Sequence, residues 1–364
     1  MVLIYFILLT FAMLVTAPLI SRRLVFAYVP EARLEYNPLQ ALSRSNRKIV
    51  YCAFGLLYVM MVIAVVNRPE YLPDYQMYEH LYRTTLGNKS LRDMEISFTW
   101  ISMLSPTFMV LLTVYALLSV GTHMWAILRN APNIWISLGL YMTFQFVLHD
   151  MVQMRSGVAL GLMLISLRYI VERKWWIYFP LVMLALFFHT SAVVLIPLYF
   201  LKAKSLNRYV WGSILGGAVL LHMAGMEFGI FSKFIPIGII ETYLENYMGR
   251  DMAANSIDID LHRILEIIAI FVMIIRIKYL QSHYPLAVIC VKMLVFSQIF
   301  YLLFSDIAVI QIRMGELFGT AGILGYAMFP MVSRKHYYVL LIYPLLLMLT
   351  QIGGAYYLLT AFKP

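Results

Sequence analysis

The sequence predicts an all-α fold, a polytopic integral membrane protein of about 11–12 transmembrane passes, and three observations carry that expectation. Of 364 residues, 62% are hydrophobic and 13% charged, and the mean hydropathy is +0.80. No soluble domain covers so much apolar surface with so little charge. Apolar runs long enough for a hydrocarbon core of roughly 30 Å recur along the whole chain. The formal charge of +10 gathers in a few short loops between them, which points to topology control and anionic lipid headgroups rather than nucleic acid.

Residues 2–20 can span a membrane, and they lack the basic leading region of a signal peptide, so an uncleaved first span is expected. The loop Ser21–Lys48 carries Arg22, Arg23, Arg33, Arg44, Arg47 and Lys48 against only Glu31 and Glu35. Such a loop belongs in the cytoplasm, which puts the N-terminus outside. A second span at about 49–66 leads out to a first long external loop, about 67–105, rich in tyrosine and charge. The third span, about 106–127, turns inside through Arg129–Pro132, where proline suits a helix start. The fourth, about 133–149, goes out to His149–Asp150. The fifth carries Arg155 near its outer end and reaches Glu172-Arg173-Lys174 inside.

Residues 175–201 present a conflict. One tilted helix of roughly 40 Å would fit the length, but it would carry Lys202, Lys204 and Arg208 outside and invert every later loop. Two short helices that turn near His189-Thr190-Ser191 keep that basic cluster inside, together with Arg276 and Lys278 and then Arg334 and Lys335. A broken helical hairpin near residues 175–201 is therefore expected, with a tip that lines a wet or protein-buried site in the outer half of the membrane.

Spans then follow at about 209–228, 261–280, 285–304, 307–330 and 337–360, with a second long external loop at 229–260 between the first two of them. Residues 1–364 read as a single transmembrane domain with both termini outside. The two long loops on one face are where function is expected. Cys52 and Cys290 both fall in apolar spans and suggest neither a disulfide nor a metal site.

Arg155 and His189 sit in sequence otherwise fit for hydrocarbon, where an ionisable group costs about 2.5–3.5 kcal/mol. Each has a structural alternative, since an arginine can snorkel or pair with a helix-end aspartate, and a histidine can hydrogen-bond a neighbouring helix. The functional reading is a shared polar site near the outer surface. Arg155 has an echo: Gln311-Ile-Arg313-Met-Gly315 through Gly319 repeats the Q-x-R-x-G-x-x-x-G pattern of Gln153, Arg155, Gly157 and Gly161. Glycines four apart share a helix face that allows close packing, and each arginine projects about 200° away from the first of them. Paired arginines, with their planar forks, suit a diphosphate and can neutralise charge on a phosphate leaving group.

His189 is a candidate general base or phosphate donor. Asp74 and Glu95 supply external carboxylates able to deprotonate an attacking hydroxyl, unless they are simply solvated loop residues. Tyr75 and Tyr78 supply rings to stack on sugars. Asp258-Ile-Asp260 is a weak match to a metal-holding D-x-D. No H-E-x-x-H, phosphate-binding glycine loop, serine elbow or dinucleotide fingerprint occurs, so no metal or cofactor is expected.

In order along the chain stand D-Y-x-x-Y (Asp74, Tyr75, Tyr78), E-x-x-F (Glu95, Phe98), R-x-G-x-A (Arg155, Gly157, Ala159), F-H-x-S-A (Phe188, His189, Ser191, Ala192) and a late intramembrane arginine, Arg313. This set resembles the EpsG-like family of Wzy-type bacterial polysaccharide polymerases, over roughly Leu56 to Phe329. The family usually shows an aromatic after the last arginine, and Phe318 is the nearest here. The resemblance implies a glycosyltransferase of the bacterial inner membrane with its site facing the periplasm. It would join undecaprenyl-diphosphate-linked oligosaccharide units of an O-antigen or exopolysaccharide, donor to acceptor. Membrane lipids and a chain-length regulator protein are the further partners it implies, and nucleic acid is not among them. In that reading Arg155 and Arg313 hold diphosphate, His189, Glu95 and Asp74 serve catalysis, and Tyr75 and Tyr78 hold sugar.

Two rivals use similar residues. A flippase of lipid-linked sugars would spread charge through the membrane depth, whereas the unusual polar groups here collect at the outer ends of spans. A membrane O-acyltransferase acting on polysaccharide would need an inward-facing His or Arg constellation, and none stands out.

Overall fold

The computed structural model describes residues 44–87, 95–226, 260–305 and 307–361. The expected first span, the basic loop as far as residue 43, and the second external loop as far as residue 259 lie outside them. Among the described residues every regular element is a helix, as expected for the fold class. Four stretches are long and apolar enough to cross a membrane: Arg47–Val66, Phe108–Asn130, Met154–Val171 and Tyr337–Thr360.

In chain order, α1 (Arg44–Val66) leads to two short helices, α2 (Tyr75–Gly87) and α3 (Ile96–Leu104), in the stretch expected as an external loop. The long α4 (Phe108–Asn130) follows, capped by Thr107, which accepts from the backbone of Val110. Next, α5 (Ile134–Leu140) begins at Asn133, whose side chain accepts from Trp135 and Ile136 N–H, and runs on as a π-helix, Tyr141–Val152. Then come α6 (Met154–Val171), α7 (Trp175–Phe188), α8 (Leu195–Leu198) and α9 (Arg208–Met223). The remainder is α10 (Leu261–Ile275), α11 (Ile277–His283), α12 (Ala287–Leu303), α13 (Ala308–Gly319), α14 (Gly322–Gly325), α15 (Tyr337–Leu340) and α16 (Ile342–Thr360). In the first half, α4 packs against α1 and α6, and α6 against α7; in the second, α12 packs against α9, α10 and α13.

The hairpin is present. α7 ends at His189, whose extended backbone (φ −154°, ψ 123°) breaks the helix, and a 3₁₀ turn at Thr190–Val194 redirects the chain. The return limb lies back along the start of α7. Tyr178 donates to the Leu195 carbonyl at 2.6 Å, and Arg173 donates to Tyr199 and Leu201 carbonyls at 2.7 and 3.0 Å. At about 1.5 Å per residue α7 is roughly 21 Å long, too short to cross alone.

The reversal gathers the basic loops at one end. Lys292 donates to the carbonyls of Lys202 and Ser205 at 2.6 and 2.9 Å, and Gln281 to that of Lys204 at 2.7 Å. Arg276 reaches the Val332 carbonyl at 3.2 Å, and Tyr284 the Asn130 carbonyl at 2.7 Å. Loops that short-range pattern alone would scatter are thus stitched together by side-chain bonds to backbone carbonyls, the groups that helix ends leave unsatisfied.

Three expectations need correction. The fourth span does not stop at His149. The wide π turn carries it to Val152 and buries His149 and Asp150, expected at an external turn, inside the protein. Asp150 is 0% exposed and accepts from the hydroxyls of Ser119 and Tyr141, which is what makes a buried carboxylate tolerable. The span expected at 307–330 breaks after Gly319, where the Thr320 hydroxyl donates to the Glu316 carbonyl at 2.8 Å and competes with the helix ladder. Finally, the loop expected at 67–105 folds partly into α2 and α3, laid on the bundle by rings: Tyr75 and Tyr82 stand 5.4 and 5.7 Å from Phe108.

The glycine echo behaves as a packing device in both halves. A Cβ on Gly157 would come 2.6 Å from the His149 carbonyl, and Gly161 sits against Thr122 of α4. A Cβ on Gly315 would come 2.6 Å from the Tyr301 ring, and one on Gly319 3.0 Å from Ser297 of α12. Each motif seats its helix on the long helix that packs beside it.

Candidate functional site

Arg155 stands in the first turn of α6, the wrong end of a helix for a cation, where the dipole opposes it by about 0.3–1 kcal/mol. A carboxylate answers it. Glu95, the N-cap residue of α3, leaves its own helix uncapped and forms an ion pair with Arg155 instead. The guanidinium also lies over the rings of Tyr78 (5.4 Å) and Phe98 (6.0 Å), and its Nε is 3.5 Å from the Tyr78 hydroxyl. Such a seat suits the flat arginine fork.

His189 completes the triad. The helix break aims its ring at α3, where Nδ1 lies 3.2 Å from the second oxygen of Glu95. Phe188, its neighbour, packs edge-on against Tyr115 at 6.0 Å, and Phe187 packs against Trp100 at the same distance. Burial pushes the Glu95 carboxyl up, but the His189 hydrogen bond and the Arg155 charge together hold it below the ordinary glutamate range. It is an anion fixed between two partners.

Asp74 is different. It precedes α2 with φ +66°, a left-handed conformation that aspartate adopts more readily than most residues and that starts the turn into the helix. Burial raises its carboxyl above the usual aspartate value, and it prevails over three guanidiniums that pull the other way: Arg155, Arg68 and Arg313. Arg313 from the late half is thus within electrostatic reach of the same carboxyl as Arg155, and α13 packs on the 3₁₀ turn that follows His189.

The structure therefore links Arg155 and His189 through Glu95 and seats Arg155 on Tyr78, while Asp74 and the exposed Arg313 lie within reach of one another's charge. Tyr78 is 2% exposed, so its ring supports Arg155 and offers no face to a sugar. Tyr75 is only partly buried and lies beneath Arg68, 5.6 Å from the guanidinium carbon.

Arg68 was not among the residues singled out from sequence. It is 4% exposed and donates to the Met151 carbonyl at 2.6 Å and toward Met154 Sδ at 3.6 Å, clamping the end of the π-helix beside Arg155. Its signal was available: an arginine directly after an apolar span, in Asn67-Arg68-Pro69, with no other charge on its side until Glu70. The Asp150 network, with the His123 ring stacked on Tyr141 at 4.7 Å, was likewise unforeseen.

Three cations and two carboxylates at one end of a helical bundle can hold a doubly charged phosphate group and still keep a carboxylate for proton transfer. Among the described residues no cluster of three or more His, Cys, Asp or Glu has the placement to hold a metal ion.

Comparison with known proteins gives one positive finding. The model of the EpsG family matches residues 51–361, most of the chain and the whole of this site. No curated protein and no solved structure matches.

Proposed function

Since the chain belongs to the EpsG family, a Wzy-like polysaccharide polymerase family, we propose that it polymerises oligosaccharide units carried on undecaprenyl diphosphate at the periplasmic face of a bacterial inner membrane. The observation that carries this reading is the Glu95 carboxylate bound to both Arg155 and His189, with Asp74 and Arg313 close enough for their charges to be felt. Cations for a diphosphate and a carboxylate whose proton affinity is raised stand together at the end opposite the basic loops.

The reaction is a glycosyl transfer. A hydroxyl of the acceptor unit attacks the anomeric carbon of the donor. The new C–O bond forms as the bond from that carbon to the diphosphate oxygen breaks, and the hydroxyl proton passes to Asp74. Undecaprenyl diphosphate leaves with its charge spread over Arg155 and Arg313, an electrostatic contribution of the kind worth a few kcal/mol per donor. Raised proton affinity makes Asp74 the better base of the two carboxylates. Glu95, already held by Arg155 and His189, positions both. Tyr75 is the ring left for a sugar face, and Tyr78 supports Arg155.

The test is reconstitution. Purified protein with its lipid-linked repeat unit should yield a ladder of products on a gel and release undecaprenyl diphosphate in step with chain growth. Intact substrate left unconsumed by wild-type protein would sink the reading.

A further inference from the structure

A second polar cavity, of about 260 Å³, opens among α10, α13, α16 and the π-helix, away from the Glu95–Arg155 pair. Its size is near the lower end for small-ligand pockets, about 300 Å³. Glycines make the room: Gly319, Gly322 and Gly354 line it, and a Cβ on Gly322 would come 2.7 Å from the Tyr326 ring.

One wall is fixed. Glu266 accepts from Arg263 at 2.6 Å and Gln298 at 3.1 Å and lies 3.4 Å from His262, whose other nitrogen is 2.8 Å from the Thr350 hydroxyl oxygen. Arg263 lies flat on the Tyr301 ring, 3.5 Å from its centroid.

Some of the other lining groups keep polar atoms free. The Tyr326 hydroxyl, in a residue 2% exposed, stands beside Glu266 without a well-formed hydrogen bond to it. The Glu316 carboxylate takes no hydrogen bond from any described residue. Gln351 uses its carbonyl oxygen on the Thr143 hydroxyl at 2.9 Å, which leaves its amide N–H group as a donor in the lining, and the Gln145 amide lies beside it.

Buried polar groups in native proteins find partners, so these await a ligand. Arg263 and His262 both already face Glu266, so the described lining offers an anion such as a diphosphate no uncommitted cation. Donors and acceptors interleaved around one small volume, with the Phe144 ring beside them, match a ring bearing several hydroxyls.

We propose that this cavity binds one uncharged sugar ring of the acceptor unit; that the sugar belongs to the acceptor rests on the polymerase reading, and that it is a sugar rests on the cavity's own chemistry. The placement fits. Glu316 follows Arg313 by about one helical turn, so α13 carries both the late arginine of the proposed transfer site and a carboxyl group of the cavity lining.

The test uses the full chain in lipid nanodiscs and a panel of methyl glycosides of hexoses, N-acetylhexosamines and hexuronic acids, which carry neither lipid nor diphosphate. Binding is read by saturation-transfer NMR and titration. An uncharged glycoside should bind and the hexuronates should not. Tyr326→Phe, which keeps the ring, and Glu316→Gln should weaken it, with a tenfold or greater rise in Kd in either variant counting as support. Arg155→Ala, compared only once shown to be folded by its unfolding midpoint, should leave it unchanged. The proposal is overturned if no uncharged glycoside binds, if both cavity variants bind like wild type, or if Arg155→Ala abolishes binding. A protein that binds glycoside in this way but forms no ladder would retain the sugar site and lose only the acceptor role, so the two failures are separable.

Discussion

Glu95 holds Arg155 in an ion pair across sixty residues of sequence, and its second oxygen stays 3.2 Å from His189. One carboxylate thereby ties the start of α3 to α6 and to the tip of the hairpin. Such a partly buried pair stabilises little in itself, but breaking it by removing one partner strands the other charge.

Glu95→Ala should therefore destabilise the fold by about 3–5 kcal/mol, the range for an uncompensated buried charge, and Glu95→Gln by less, because the amide oxygen still accepts from Arg155. Thermal unfolding in detergent with the two variants side by side checks the order. Equal midpoints for Glu95→Ala and wild type would show that the pair does not organise the site.

The same carboxylate sets an acid limit. The folded value of Glu95 lies below its unfolded value of about 4.3. Its contribution is thus complete above that pH and is lost as pH falls through the lower folded value. A pH series of unfolding midpoints should show a falling limb in that window for wild type, and a shallower one for Glu95→Gln.

Asp74 should show the reverse sense in activity. Because burial raises its carboxyl, the basic form appears at higher pH than for an ordinary aspartate near 3.9. The rate of chain extension should climb through that raised value and then level off. Asp74→Asn should lose activity by about 100-fold or more, the scale of a general base, and should lose this limb of the pH profile. A variant that keeps the limb would assign it to another group.

Arg155→Lys keeps the charge and loses the fork that meets Glu95, Tyr78 and Phe98 together. Extension should drop at least about tenfold, without rescue by raised substrate if the loss lies in the transition state. Recovery of the wild-type rate at saturation would mean that Arg155 serves ground-state binding alone.

Gly157 and Gly55 form a contrasting pair. A Cβ at Gly157 meets a backbone carbonyl at 2.6 Å, whereas one at Gly55 meets nothing within 4 Å. Gly157→Ala should cost about 1–3 kcal/mol from overpacking, and Gly55→Ala should be neutral or gain up to about 1 kcal/mol from helix propensity. Unfolding midpoints of both proteins decide it.

Much of this was legible from residue order. The turn at His189 followed from the charge of loops that come after it, because only a reversal keeps Lys202 and Lys204 with the other basic residues. The glycine faces followed from spacing. The pairing of Glu95 with Arg155 did not, since nothing local specifies which of several carboxylates meets an arginine sixty positions on. Arg68 escaped because it sits at a span end, where an arginine is ordinary. The second cavity escaped for a less forgivable reason: Glu266 lies in Ile-Leu-Glu-Ile-Ile-Ala-Ile, the same anomaly that marked Arg155. The π-helix had no sequence signature, and with it went the burial of Asp150.

The central claim is that Arg155, Arg313 and Asp74 serve one transfer from a lipid diphosphate. It is tested most directly by measuring undecaprenyl diphosphate released per sugar unit added, in wild type, Arg155→Ala, Arg313→Ala and Asp74→Asn, each shown to be folded. The account predicts one diphosphate per linkage in wild type and loss of both release and extension in all three variants. Full release and extension in the three variants together would contradict it.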